Sequence, residues 1–292
     1  MIDAAKELKG WIAQHGWVLF LATVAAYPMQ HYELYGPPAD LQLLPSLAVA
    51  MFLVLPLWAA VVHDTCVDTA IARDRSHVLQ AWAISGLGCA AALFPCLVWA
   101  YAPGGKESFK ADPTLLVAGA FVGLALVLAG AARGRVSLGN WGLGAGELGW
   151  WGPKVGLIVG IMVVVIPLFA WLRPEYVAFY PRYKPSRTDW VPLVQYQLAM
   201  ATFMFAWEFV FRGFLLNGIG RWLGPVAAIL VQVYPFFLLH HAKPESEMVL
   251  SWVGGIAIGW FCWKSRSMWP GAILHSVQYS AMEVSAYVLR HW

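Results

Sequence analysis

Apolar residues along this 292-residue chain fall in long continuous runs, with none of the alternation of a half-buried strand. The runs are Trp11–Tyr27, Leu41–Val62, Ala81–Ala102, Thr114–Ala132, Gly156–Leu172, Val191–Ile219, Pro225–His241, Leu250–Lys264 and Trp269–Leu289. A helix of about 17–25 apolar residues crosses a bilayer core, so most of these runs read as spanning helices. The eighth is short and glycine-rich, which leaves eight or nine spans. Turn-rich stretches separate them: Gly36-Pro37-Pro38, Pro103-Gly104-Gly105 and the polar segment Arg173–Asp189. The pattern predicts an all-α, polytopic transmembrane bundle forming a single membrane domain over 1–292. Within it, 1–190 supplies packing helices and 191–292 carries the intramembrane polar groups. No internal repeat is visible, which argues against a transporter built from inverted repeats.

Composition agrees. Hydrophobic residues make up 60% and charged residues 12%, against about 25% charged in a soluble domain. Mean hydropathy is +0.62. The 17 tryptophans suit the aromatic belts at the two membrane interfaces. A net charge of +3, spread over loops, offers no basic stripe for nucleic acid. The N-terminus, with Asp3, Lys6, Glu7 and Lys9, leads into a spanning-length run and does not read as a cleavable signal. Cys66, Cys89, Cys96 and Cys262 form no CxxC pair and no zinc-ligand spacing. Lys6, Lys9, Arg73, Arg75, Arg133, Arg135 and Lys154 favour a cytoplasmic N-terminus, whereas Arg173, Arg182, Lys184 and Arg187 oppose it. The expectation is a multi-pass integral protein of the plasma (inner) membrane.

Glu208 and Arg212 lie inside the run Val191–Ile219. A charge at membrane depth costs several kcal/mol unless paired or hydrated, so such residues are functional candidates. Their i,i+4 spacing puts carboxylate and guanidinium on one helix face. They read either as a general base kept ionised by its arginine or as an ion pair that only fixes helix packing. His240 closes the segment Tyr234-Pro235-Phe236-Phe237-Leu238-Leu239-His240, and either a break or tilt at Pro235 or a helix that starts further out from the membrane would bring it level with Glu208 and His275. His275 lies in the last run, with Gln278 and Tyr279 at i+3 and i+4 on its face. These two could donate to a developing oxyanion, or simply bond between helices. There is no GxSxG and no HExxH. The donor types of Glu208, His240 and His275 suit zinc, but no spacing requires a metal, and no cofactor is expected.

At these three points the sequence resembles the CaaX protease and bacteriocin-processing family of intramembrane glutamic proteases, which includes the type II CaaX prenyl endopeptidases. The family pattern is EExxxR, then FxxxH, then HxxxN or HxxxD. Here Trp207-Glu208-xxx-Arg212 is followed by Gly213-Phe214-Leu215-Leu216. Phe236-xxx-His240 is followed by Lys243-Pro244-xx-Glu247 and Gly255-xxx-Gly259, and the third motif is His275-xxx-Tyr279. The likeness spans about Gln197–Met282. It implies a bundle of about eight helices enclosing a polar cavity. Two positions depart from the pattern. Trp207 stands where the family has its usual general base, so Glu208 matches the second glutamate. Tyr279 stands in place of Asn or Asp, with Gln278 beside it.

The resemblance implies an intramembrane endopeptidase acting on a membrane-anchored protein or peptide at the bilayer. One role would be maturation of a C-terminal anchor or sorting tail, and a lipidated CaaX tail is another. Glu208 and His240 would activate water, His275 with Gln278 or Tyr279 would stabilise the oxyanion, and Arg212 would orient Glu208. This requires the three side chains to converge within about one water, at ~3 Å per hydrogen bond. The alternative is a non-proteolytic relative acting as a membrane scaffold or immunity-type protein, which Trp207 favours if it points among the histidines in place of Glu208. A transporter using Glu208 for proton coupling is the third reading, and the lack of a second membrane carboxylate counts against it.

Overall fold

A computed structural model describes residues 113–133, 137–219, 224–240 and 243–292. The first three apolar runs, with Cys66, Cys89 and Cys96, lie outside the described residues. Among those described there are seven α-helices and no strand. They are α1 (Pro113–Arg133), α2 (Leu148–Leu172), α3 (Pro174–Phe179), α4 (Trp190–Glu208), α5 (Gly224–Leu238), α6 (Glu245–Ser265) and α7 (Trp269–His291). A π-helix, Phe209–Ile219, continues α4 without a break. Among the described residues three helices are long and apolar enough to cross a membrane: Pro113–Ala132, Leu148–Leu172 and Trp190–Gly218.

The starts and stops follow local chemistry. Asp189 caps α4 by accepting from the Val191 N–H at 2.9 Å. Pro113, Pro174 and Pro270 stand in first turns, where a missing N–H costs nothing. α6 begins at Glu245, five residues before the apolar run. Glu245 and Glu247 suit a helix N-terminus, so a hydropathy boundary misses this polar turn. Similarly, α2 begins at Leu148 and not Gly156, and includes Pro153 and Pro167. The helix carrying Phe236 is not broken at Pro235. α5 runs on to Leu238, and His240 sits in the turn beyond, its N–H bonded to the Phe237 carbonyl at 2.9 Å.

Burial identifies the central helix. Of an 18-residue apolar stretch of Trp190–Gly218, 72% is buried, against 17% for Leu148–Leu172, whose Ile161, Val164, Leu168 and Trp171 are exposed. In a bilayer such an apolar surface faces lipid at no cost. α1 and α7 pack against α4, α2 lies along α7, and α5 and α6 pair on the π-helix side. The described residues therefore form an integral membrane bundle with α4 and its π continuation at the centre.

The change of winding begins next to Glu208. π-turns are rare and cluster at functional sites. Here the turn is held from two sides. The Asn217 side-chain N–H donates to the Arg212 carbonyl at 2.6 Å. Gly213 has the Phe209 ring and the Trp141 carbonyl pressed against it, 2.5 and 2.9 Å from where a Cβ would stand. The short 3-10 turn Leu138–Trp141 thus packs directly on the helix that carries the charged pair.

Candidate active site

Glu208 ends the α-helical part of its span, and Arg212 follows one turn later. Both side chains are fully buried. Arg212 Nη1 donates to Glu208 Oε1 at 2.7 Å. The remaining guanidinium donors, Nε and Nη2, have no hydrogen-bond partner, and the Arg212 Cζ lies 4.2 Å from the Phe236 ring centroid. This is cation–π geometry, and it gains strength where water is excluded.

His275, on α7, brings its Nδ1 to the same Glu208 Oε1 at 2.7 Å. The carboxylate therefore bridges guanidinium and imidazole. Its other oxygen, Oε2, is buried without a partner and faces Gly271, where a Cβ would collide with it. That close approach explains a glycine one turn before His275. Gly271→Ala is expected to lower stability by about 1–3 kcal/mol through overpacking, read as a fall in the thermal midpoint of the detergent-solubilised protein. An unchanged midpoint contradicts the packing.

His240 approaches from the end of α5. Its Nδ1 is 2.7 Å from the Phe236 carbonyl, and only 5% of the residue is exposed. The two imidazoles are nearly parallel, with centroids 6.2 Å apart. A carbonyl accepts only, so His240 Nδ1 carries the proton and its Nε2 carries a lone pair when neutral. Glu208 Oε1, which already accepts from Arg212, makes the same assignment for His275. Glu208 and His275 are thus in direct contact, while His240 stands one ring away and makes no bond to Glu208.

Trp207 lies among the same groups. Its ring is edge-on to His240 and His275 at 6.2 and 6.5 Å, and it packs on Phe211 and Phe236. Its indole Nε1 is buried without a hydrogen-bond partner. Tyr279 does not join the site: its hydroxyl is 3.1 Å from that of Tyr196, and its ring is edge-on to Tyr180. Gln278 is half-buried.

A catalytic zinc takes three protein ligands. Among the described residues no three His, Cys, Asp or Glu side chains are placed to hold a metal. Glu208 Oε1 is already committed to Arg212 and His275. The donor set does not fit. Chelation is expected to leave the thermal midpoint of the purified protein unchanged; stoichiometric zinc lost together with stability contradicts this.

A second buried polar group was not legible in the sequence, where Arg173–Asp189 reads as a loop. Tyr180 donates its hydroxyl to both Glu247 oxygens, at 3.0 and 2.9 Å, and Lys243 Nζ lies 2.5 Å from Glu247 Oε1. The Arg182 backbone N–H donates to Glu283, also fully buried, at 3.0 Å. Burial, with the Glu247 carboxylate beside it, holds the Tyr180 phenol well above its usual range, so it remains a donor. The spacing Tyr176, Tyr180, Tyr183 is the only signal in the sequence that this segment packs inward.

No curated protein and no solved structure matches the chain. Residues 189–280 match the family model of the Rce1-like type II CAAX prenyl endopeptidases. The matched segment, about a third of the chain, holds Glu208, Arg212, His240 and His275 and agrees with the resemblance read from the three motifs. The match over residues 189–280 is a similarity to a membrane protease family and is consistent with the wider CaaX protease and bacteriocin-processing group.

Proposed function

We propose that the chain is an intramembrane endopeptidase that hydrolyses a peptide bond in a membrane-anchored protein, with His275 and His240 holding the water. The observation that carries this reading is the contact of Glu208 Oε1 with His275 Nδ1, beside the nearly parallel His240 ring. The division of roles differs from the sequence reading, in which Glu208 and His240 share the water. Glu208 is fully buried, and each of its oxygens is enclosed. It acts through His275, fixing the tautomer that leaves Nε2 basic.

In this mechanism the water lies between the two Nε2 atoms. Its oxygen attacks the substrate carbonyl carbon as its proton passes to His275 Nε2, and Glu208 stabilises the imidazolium. The Gln278 amide, one turn from His275, donates to the oxyanion. The proton then moves to the leaving nitrogen as the C–N bond breaks. Arg212 orients Glu208 through their 2.7 Å contact. The single membrane domain over 1–292, a plasma-membrane location and maturation of a C-terminal anchor or sorting tail belong to the same proposal.

Trp207 favours a second reading, a non-proteolytic scaffold or immunity-type relative. An apolar ring against both imidazoles takes space that a water would need. Purified protein reconstituted with a library of membrane-anchored peptides, read by mass spectrometry, separates the two. The proteolytic reading expects cleavage by the wild type, lost in His240→Ala. It also expects cleavage to rise in Trp207→Glu, which restores the motif's first carboxylate. Cleavage by Trp207→Glu alone, with an inert wild type, supports the scaffold.

A further inference from the structure

The segment 173–189 ties together the two elements that carry the histidines. On the α7 side, Arg290 donates to the Tyr180 carbonyl through Nε at 3.2 Å and Nη2 at 3.0 Å, and also reaches the Val177 carbonyl. Glu283, two turns after His275, accepts from the Arg182 N–H. On the other side the Tyr180 hydroxyl holds Glu247, which holds Lys243. The Lys243 backbone N–H in turn bonds to the His240 carbonyl at 3.3 Å. An unbroken chain of hydrogen bonds therefore runs from the helix of His275, through Tyr180 and Glu247, to the backbone of His240. Tyr180 is 1% exposed and Glu247 8%, so water competes little for these bonds.

We propose that Tyr180 and Glu247 are positioning residues for His240: the strap 173–189 fixes the connector after His240 to α7 and so sets the separation of the two imidazoles. The inference rests on the reading of His240 and His275 as the pair that holds the water. α5 ends at Leu238, two residues before His240, so the helix alone does not fix this ring. Its Nδ1 bond to the Phe236 carbonyl depends on how the turn leaves the helix, and Lys243 is the next anchor along that turn.

The test uses the full-length protein in lipid nanodiscs and diethyl pyrocarbonate, which modifies free imidazole nitrogens. Modification rates at His240 and His275 are read separately by peptide mass spectrometry in wild type, Tyr180→Phe and Lys243→Met. Arg173→Gln, on the same strap but paired with exposed Glu175, serves as the control. The expected result is that His240 reacts roughly three- to tenfold faster in both variants, the factor that one lost buried hydrogen bond corresponds to. The His275 rate and the control stay unchanged. No change at His240, or equal acceleration of both histidines, overturns the proposal. No peptide substrate takes part, so this outcome is independent of whether the wild type cleaves anything.

Discussion

Arg212→Leu is expected to destabilise the protein by about 3–5 kcal/mol, because it leaves a carboxylate buried without its partner. Glu208, none of whose own surface is exposed, would retain only His275. The double variant Glu208→Gln with Arg212→Leu is expected to recover most of that loss, since it removes both charges. Thermal unfolding of the two purified proteins reads the difference. Equal midpoints contradict an energetically coupled pair. The size of the effect comes from desolvation more than from the attraction itself: an ion pair exposed to water is worth only about 0–1 kcal/mol.

Glu208→Gln is expected to lower peptide hydrolysis by about 10²–10⁴-fold, the range associated with losing a general-base contribution. The amide cannot stabilise an imidazolium at His275, and its N–H₂ can turn to His275 and impose the wrong tautomer. The protein should still reach the membrane, since the span around residue 208 stays apolar. His275→Ala is expected to fall in the same range. The two together should lose little more than either alone, because they act as one unit. Additive losses contradict a shared role.

Much of the site was legible because membrane burial makes polar residues conspicuous. Glu208, Arg212, His240 and His275 are among the few titratable exceptions in apolar runs, and i,i+4 spacing forecasts the Glu208–Arg212 bond that the structure has. The contact between Glu208 and His275 joins helices 67 residues apart in sequence, and no local spacing encodes it. The π-winding after Glu208 was also hidden, since it depends on Asn217 and on the packing of Trp141 against Gly213. Tyr279 looked like a partner of His275 from its spacing, yet Tyr196 on α4 holds its hydroxyl. The polar strap was read as a loop because its anchors, Glu247, Glu283 and Arg290, are 67 to more than 100 residues away. Hydropathy found the interiors of the helices well and their polar first turns poorly, as α6 and its Glu245 show.

Hydrolysis by the Glu208–His275–His240 site is read most directly by comparing protein termini in membranes. Cells carrying the wild type, Glu208→Gln or His240→Ala are grown in parallel, with each protein present at equal level. New N- and C-termini in the membrane fraction are then quantified by mass spectrometry. The expected result is a set of termini near the membrane surface of anchored proteins that is present with the wild type and lost in both variants. Identical termini in all three, with each protein folded in the membrane, contradict hydrolysis by the Glu208–His275–His240 site.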